Sequence, residues 1–162
     1  MSAIAVADAG PLHYLALVDS ADILPKLFER IIVPDAVRSE LLHPKAPQKV
    51  RDWIQTQHSW LEMASVENIQ PVQGLHPGET EALQLALKRK AAVVLMDDVD
   101  GRAAAIRLGL VPIYTVSLLE RAAEKGFLDL PSVVAKLRQT NFFVSPEILD
   151  AALERDKQRR GT

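Results

Sequence analysis

Carboxylates stand where apolar runs end in this chain. Asp8 closes the run Ala3-Ile4-Ala5-Val6-Ala7, and Asp97 and Asp98 close the run Ala91-Ala92-Val93-Val94-Leu95-Met96. A short apolar run that stops at an acid and passes into a turn or a helix reads as a buried parallel strand. In open α/β sheets, ligands bind at the carboxyl ends of such strands. Two separate strands thus deliver acids to one place. Two like charges about 5 Å apart repel by roughly 3 kcal/mol at an effective dielectric of about 20, so carboxylates gathered in one pocket call for a divalent cation or for protons. Oxygen-only ligands suit Mg²⁺ or Mn²⁺ better than zinc.

Two further acids join them on helical geometry. In the helix expected over 78–90, Leu83, Ala82 and Ala86 cluster around the direction of Glu79, which places Glu79 on the core-facing side of the first turn; Glu81 points the other way, to solvent. Glu40 lies beside Leu41 and one turn from Val37, near a helix C-terminus where an acid opposes the dipole. Each acid also has a plainer reading. Glu79 complements a helix dipole, Asp8 caps the helix that follows it, and Asp97, Asp98 and Asp100 with Gly101 form an Asx-type turn. Three acids in four residues nevertheless exceed what one cap needs. His13, His43, His58 and His76 have no metal-ligand spacing and read as ordinary surface or interface residues. Trp53 and Trp60 read as packing residues, and Lys88-Arg89-Lys90 with Lys157, Arg159 and Arg160 as solvated charge.

The elements that must position these acids alternate along the chain. Strands are expected at 3–7, 31–33, 60–64, 91–96 and 112–114, and helices after Gly10-Pro11 and at 23–28, 35–42, 48–57, 78–90, 102–108, 131–140 and 146–158. Residues 65–77 read as a loop, and Thr115 or Ser117 as the cap of the helix after the last strand. Strands alternating with helices predict a three-layer α/β/α sandwich around a mainly parallel central sheet.

The composition fits one soluble domain with a proper core: 162 residues, 48% hydrophobic and 25% charged. Taking four pocket acids out of the net charge of −2 leaves +2, so a mildly basic rim is compatible with a nucleic-acid partner. Cysteine is absent, which excludes disulfides and thiolate metal sites. The N-terminus lacks a basic n-region and no apolar run approaches a membrane span, so a cytoplasmic protein with no membrane partner is expected. No phosphate-binding glycine loop or dinucleotide fingerprint is present.

Four segments, in order, resemble the PIN-domain family of the VapC-like ribonuclease type: Val6-Ala7-Asp8-Ala9-Gly10-Pro11-Leu12, Val33-Pro34-Asp35-Ala36-Val37-Arg38-Ser39-Glu40-Leu41, Gly78-Glu79-Thr80-Glu81-Ala82, and Leu95-Met96-Asp97-Asp98 with Gly101-Arg102-Ala103-Ala104. The resemblance implies a PIN-like nuclease domain over 1–127 and a C-terminal helical extension over 128–162, packed on or continuing the same domain. Carried over residue by residue, it implies a catalytic quartet of Asp8, Glu40, Glu79 and Asp97, with Asp8, Asp97, Glu79, Asp100 and Asp98 as metal ligands. Many VapC-type toxins have Asp where this chain has Glu79. The implied activity is Mg²⁺- or Mn²⁺-dependent endoribonuclease cleavage of RNA by the toxin of a toxin–antitoxin pair. The implied partners are a small antitoxin protein and a second copy of the chain. Arg102 and the basic clusters would hold substrate phosphates. A catalytically inactive PIN-like module that binds RNA or protein is the alternative. A receiver or haloacid-dehalogenase-like phosphatase fits less well: Gly10 stands two residues after Asp8, where the phosphatase places a second Asp, and no lysine closes the strand near Ile113.

Overall fold

Five short strands pair in parallel in the order β3-β2-β1-β4-β5. They are β1 (Ile4–Ala7), β2 (Arg30–Pro34), β3 (Leu61–Ala64), β4 (Val93–Leu95) and β5 (Val111–Ile113). The computed structural model describes residues 3–161; residues 1, 2 and 162, the outer limits of the two expected segments, lie outside it. From β1 the chain first builds outward through β2 and β3, then returns to the other side of β1 with β4 and β5. The strand order therefore reverses between β1 and β4. Such a reversal opens a crevice at the carboxyl ends of the strands. The register places Ala7 opposite Leu95, and the Asp8 amide donates to the Leu95 carbonyl at 2.9 Å, so the two acid-bearing ends lie side by side.

The period-two alternation of each strand decides which layer its side chains serve. Ala5, Ala7, Ile31, Val33, Leu95 and Ile113 face one core, and Val6, Ile32, Val94 and Met96 face the other. On the first face lie α1 (Ala9–Leu17), α2 (Leu24–Leu27), α3 (Asp35–Leu41), α4 (Gln48–Gln55) and α7 (Thr115–Glu124). Buried residues of α8 (Leu130–Leu137) and α9 (Pro146–Arg159) join the same cluster through Leu130, Val133, Val134, Leu137, Leu149 and Ala152. The apolar stripes of the C-terminal helices thus cover this chain's own core. The second face is covered by α5 (Pro77–Arg89) and α6 (Val99–Arg107). This is the expected three-layer sandwich. Trp53 and Trp60 pack against the first cluster as expected, with ring centroids 6.3 Å apart.

Two element boundaries differ for identifiable reasons. The strand expected over 91–96 shrinks to Val93–Leu95, because Lys90 ends α5 in the left-handed region at φ 56° and the chain needs two residues to turn. The helix expected from Arg102 starts at Val99, because Asp98 Oδ2 accepts the Gly101 N–H at 3.0 Å and caps it earlier. Among the described residues, no helix is long and apolar enough to cross a membrane.

Candidate active site

Asp8 occupies the N-cap position of α1 but makes no capping bond with its side chain. It is 5% exposed, and its Oδ1 is buried with no hydrogen-bond partner. Burial pushes its pKa up to about 6; the Ala9 amide works against this, and the neighbouring Glu40 and Asp97 carboxylates reinforce it. The simple capping reading therefore fails for Asp8: a buried carboxylate oxygen is left without a donor at the strand end.

Glu79 is 1% exposed. Pro77 opens α5, and Glu79 sits in its first turn, where its Oε1 accepts the His76 N–H at 3.1 Å and lies 3.0 Å from His76 Nε2. The plain helix-start reading thus accounts for one of its oxygens. The other, Oε2, is buried and unpartnered. Burial first, and the neighbouring Asp98 carboxyl second, push its pKa up to about 7. Asp98 moves the opposite way: its burial is outweighed by the Gly101 amide and the Glu79 carboxyl.

Glu40 comes from the last turn of α3 and stays exposed, with its Oε1 3.9 Å from His76 Nδ1. One imidazole therefore has a nitrogen towards each of two acids, Glu40 and Glu79. Gly78 shows how closely the others approach. A Cβ added there would stand 3.2 Å from Asp8 Oδ1 and 3.3 Å from Glu40 Oε1. Gly101 is tighter still, since its added Cβ would lie 3.0 Å from Glu79 Oε2 and 2.5 Å from Met96 Sδ.

Asp97 is held from the far side. Its Oδ1 accepts the Thr115 N–H at 2.8 Å, and its Oδ2 accepts the Thr115 hydroxyl at 2.6 Å. Burial raises its pKa, Thr115 opposes that rise, and so does the nearby Arg102. The Arg102 guanidinium lies 3.9 Å over the Tyr114 ring, and its Nε is buried without an acceptor. A cation stacked beside an acid cluster with an unused donor is suited to an anionic ligand.

The structure thus brings Asp8, Glu40, Glu79 and Asp97 around the crevice, with Asp98 joined through Glu79. Asp100 is exposed in the first turn of α6. Among the described residues, no three acids or histidines stand close enough to form a ready metal cage. The donor set nevertheless fits a hard divalent cation, because two buried carboxylate oxygens lack any donor.

Three expectations require correction. Glu81 does not face solvent; it is 8% exposed and its Oε1 accepts the Ala36 N–H at 3.1 Å. The first two turns of α5 are buried on nearly every side because α3 packs against them as well as the sheet, a neighbour the helical angles could not reveal. His76 is not an ordinary surface residue but belongs to the site. Its signal was the order His-Pro-Gly-Glu, with Pro at the first helical position and an acid three residues after the cap. Thr115 does not cap α7: it is the first residue of that helix, and its hydroxyl is turned to Asp97.

A parallel sheet whose topological switch point gathers acids from two strands and two helices defines a class of α/β domains with an acidic crevice. Sequence comparison narrows it: the family described as DUF3368, PIN domain, matches residues 4–158. The chain belongs to this PIN-domain family, whose fold is of the nuclease type. The match runs through α8 and α9, so the C-terminal helices lie inside the family's span. Among solved structures, the chain is similar to a PilT N-terminus domain protein, SSO1118, from the hyperthermophilic archaeon Sulfolobus solfataricus P2. The two align with a TM-score of 0.51 and 14% identity, covering 87% of this chain and 99% of that one, a likeness of fold. No curated protein matches the sequence.

Proposed function

We propose that this protein is a Mg²⁺- or Mn²⁺-dependent endoribonuclease. The observation that carries the reading is the pair of buried, unpartnered oxygens, Asp8 Oδ1 and Glu79 Oε2, at the switch point of a PIN-domain sheet. Asp8, Glu79 and Asp97 would hold the cation, with Asp98 and Asp100 reaching it from the start of α6, and Glu40 would position water or complete the ligand set. When bound, a divalent ion supplies charge neutralisation on the phosphate and acidification of water.

The chain's own residues do the rest. Asp8 and Glu79 must give up protons that burial favours, so activity should rise with pH through the region where these carboxyls ionise. Thr115 holds both Asp97 oxygens in one orientation. His76 braces Glu79 and faces Glu40. Arg102, stacked on Tyr114, offers its guanidinium to a phosphate oxygen beside the acids.

The finer role, toxin of a toxin–antitoxin pair restrained by a small antitoxin, rests on the resemblance of the four acidic segments to VapC-like ribonucleases. A short DNA-binding protein encoded next to this chain would support it. The buried stripes of α8 and α9 are used on this chain's own core, so a second copy would pair through outward-facing residues; Val99, Ile106 and Val111, exposed along α6 and β5, provide one apolar face. One observation favours the inactive alternative: both Asp97 oxygens are engaged by Thr115 and no ready cage exists among the described residues. Calorimetric titration with Mn²⁺ separates the two, since an inactive module gives no binding heat.

Mixed RNAs incubated with the purified protein test the reading directly. Cleavage should require Mn²⁺ or Mg²⁺, stop with chelator, and disappear in Asp8→Asn. Cleavage that persists in Asp8→Asn, or in chelator, overturns it.

A further inference from the structure

Beside the acid cluster, between α1 and the end of α3, a cavity of about 210 Å³ is lined by Ala9, Gly10, His13, Tyr14, Glu40 and Leu41. It is continuous with the site. Glu40 belongs to both, and a Cβ added at Gly10 would lie 3.5 Å from Asp97 Oδ2. We infer that this cavity is a subsite for one nucleobase of a single-stranded RNA, flanking the phosphate held at the acids. The inference rests on the ribonuclease reading and adds to it the residues that recognise the substrate.

Shape, chemistry and rigidity each point to a base. The His13 and Tyr14 rings meet at 4.6 Å with a 55° tilt, forming an angled aromatic wall. Ala9 and Gly10, one turn earlier on the same helix, are small and leave room beside the rings, while Glu40 and Leu41 of α3 complete the lining. Burial lowers the His13 pKa, which favours the neutral imidazole and so a π face in place of a cation. Tyr14 is fixed from behind: its hydroxyl donates to Asn141 Oδ1 at 3.0 Å, and Phe142 meets its ring edge-on at 4.9 Å. These braces come from the segment between α8 and α9, a hundred residues and more along the chain, and the ring they hold still lines the cavity. Aromatic walls of this kind are how proteins hold splayed single-stranded bases. A side chain that only filled core space would not border an open polar cavity. The same geometry gives the long C-terminal segment a use beyond covering the sheet, since it holds the recognition ring in place.

The test walks a single abasic nucleotide through a short single-stranded RNA that the wild-type protein cleaves with Mn²⁺, reading kcat and KM at each position. One position near the cut should lose about tenfold or more in kcat/KM, carried mainly by KM. In Tyr14→Leu and in His13→Leu the intact RNA should be cleaved with that raised KM, and the abasic change at that position should cost little more. Tyr14→Phe keeps the ring and should keep most of the abasic penalty. Thermal melts establish that each variant is folded; if Tyr14→Leu does not fold, His13→Leu decides. A flat walk, as expected if the cavity receives a protein side chain, overturns the subsite and leaves the ribonuclease reading standing. A penalty that persists undiminished in both leucine variants does the same. Failure of the wild-type protein to cleave any RNA removes the nuclease reading and the subsite together.

Discussion

Replacing Asp8 by Asn should make the metal-free protein more stable while disabling it. The folded Asp8 carboxyl sits at about 6 against an ordinary value of 3.8. That displacement corresponds to about 3 kcal/mol of penalty on the ionised form. Below 3.8 the group is protonated in both folded and unfolded chains, and the penalty is absent. Between 3.8 and about 6 the unfolded chain ionises while the buried acid keeps its proton, so stability falls by that amount across this window and is level above it. Asn keeps the shape and carries no charge. Asp8→Asn should therefore gain up to about 3 kcal/mol at neutral pH, which is about 6–12 °C in Tm for a chain of this size, and almost nothing near pH 3.5. Thermal or urea melts in chelator across that pH range are the assay. Adding Mn²⁺ at a hundred times its Kd should stabilise the wild-type protein by about 2.7 kcal/mol and the variant far less. A variant no more stable than wild type at pH 7.5 refutes the reasoning. So does an equal gain at pH 3.5, which would mark better packing rather than relief of buried charge.

Three other substitutions probe the supports of the site. Glu81→Ala removes the acceptor of the Ala36 N–H at the start of α3 and should cost about 1–2 kcal/mol in a urea melt, where a solvent-facing acid would cost almost nothing. Thr115→Val deletes the hydroxyl that holds Asp97 Oδ2 and should lower RNA cleavage by about tenfold or more, with only about 1 kcal/mol lost in stability. Gly78→Ala puts a methyl group between Asp8 and Glu40; Mn²⁺ affinity by calorimetry should drop by about tenfold or more, while metal-free stability changes by less than about 1 kcal/mol.

Much of the fold was readable because its signals are local. The apolar runs ending at Asp8 and Asp97 became neighbouring strands, and the alternation of strands with helices became a parallel three-layer sandwich. The side on which Glu79 lies was readable too, since Leu83, Ala82 and Ala86 mark a buried face of its helix. The same angles misplaced Glu81, because a wheel shows one stripe and cannot show that a second helix closes the other side. Ligand spacing gives no role to His76, although its position before Pro77 and Glu79 is a legible cap. Local sequence makes Thr115 a cap for its own helix, while the structure gives its hydroxyl to an acid eighteen residues earlier.

The sequence by itself determined which runs become strands, which residues can ionise, and that acids end two of those strands. These follow from side-chain periodicity and chemistry, which act over a few neighbouring residues. Tertiary structure alone decided that β4 returns to pair with β1, that Asp8 Oδ1 and Glu79 Oε2 lose every donor, and that Asn141 and Phe142 brace Tyr14. Burial and hydrogen-bond partnership are properties of what packs against a group, and here the packing partners come from distant parts of the chain.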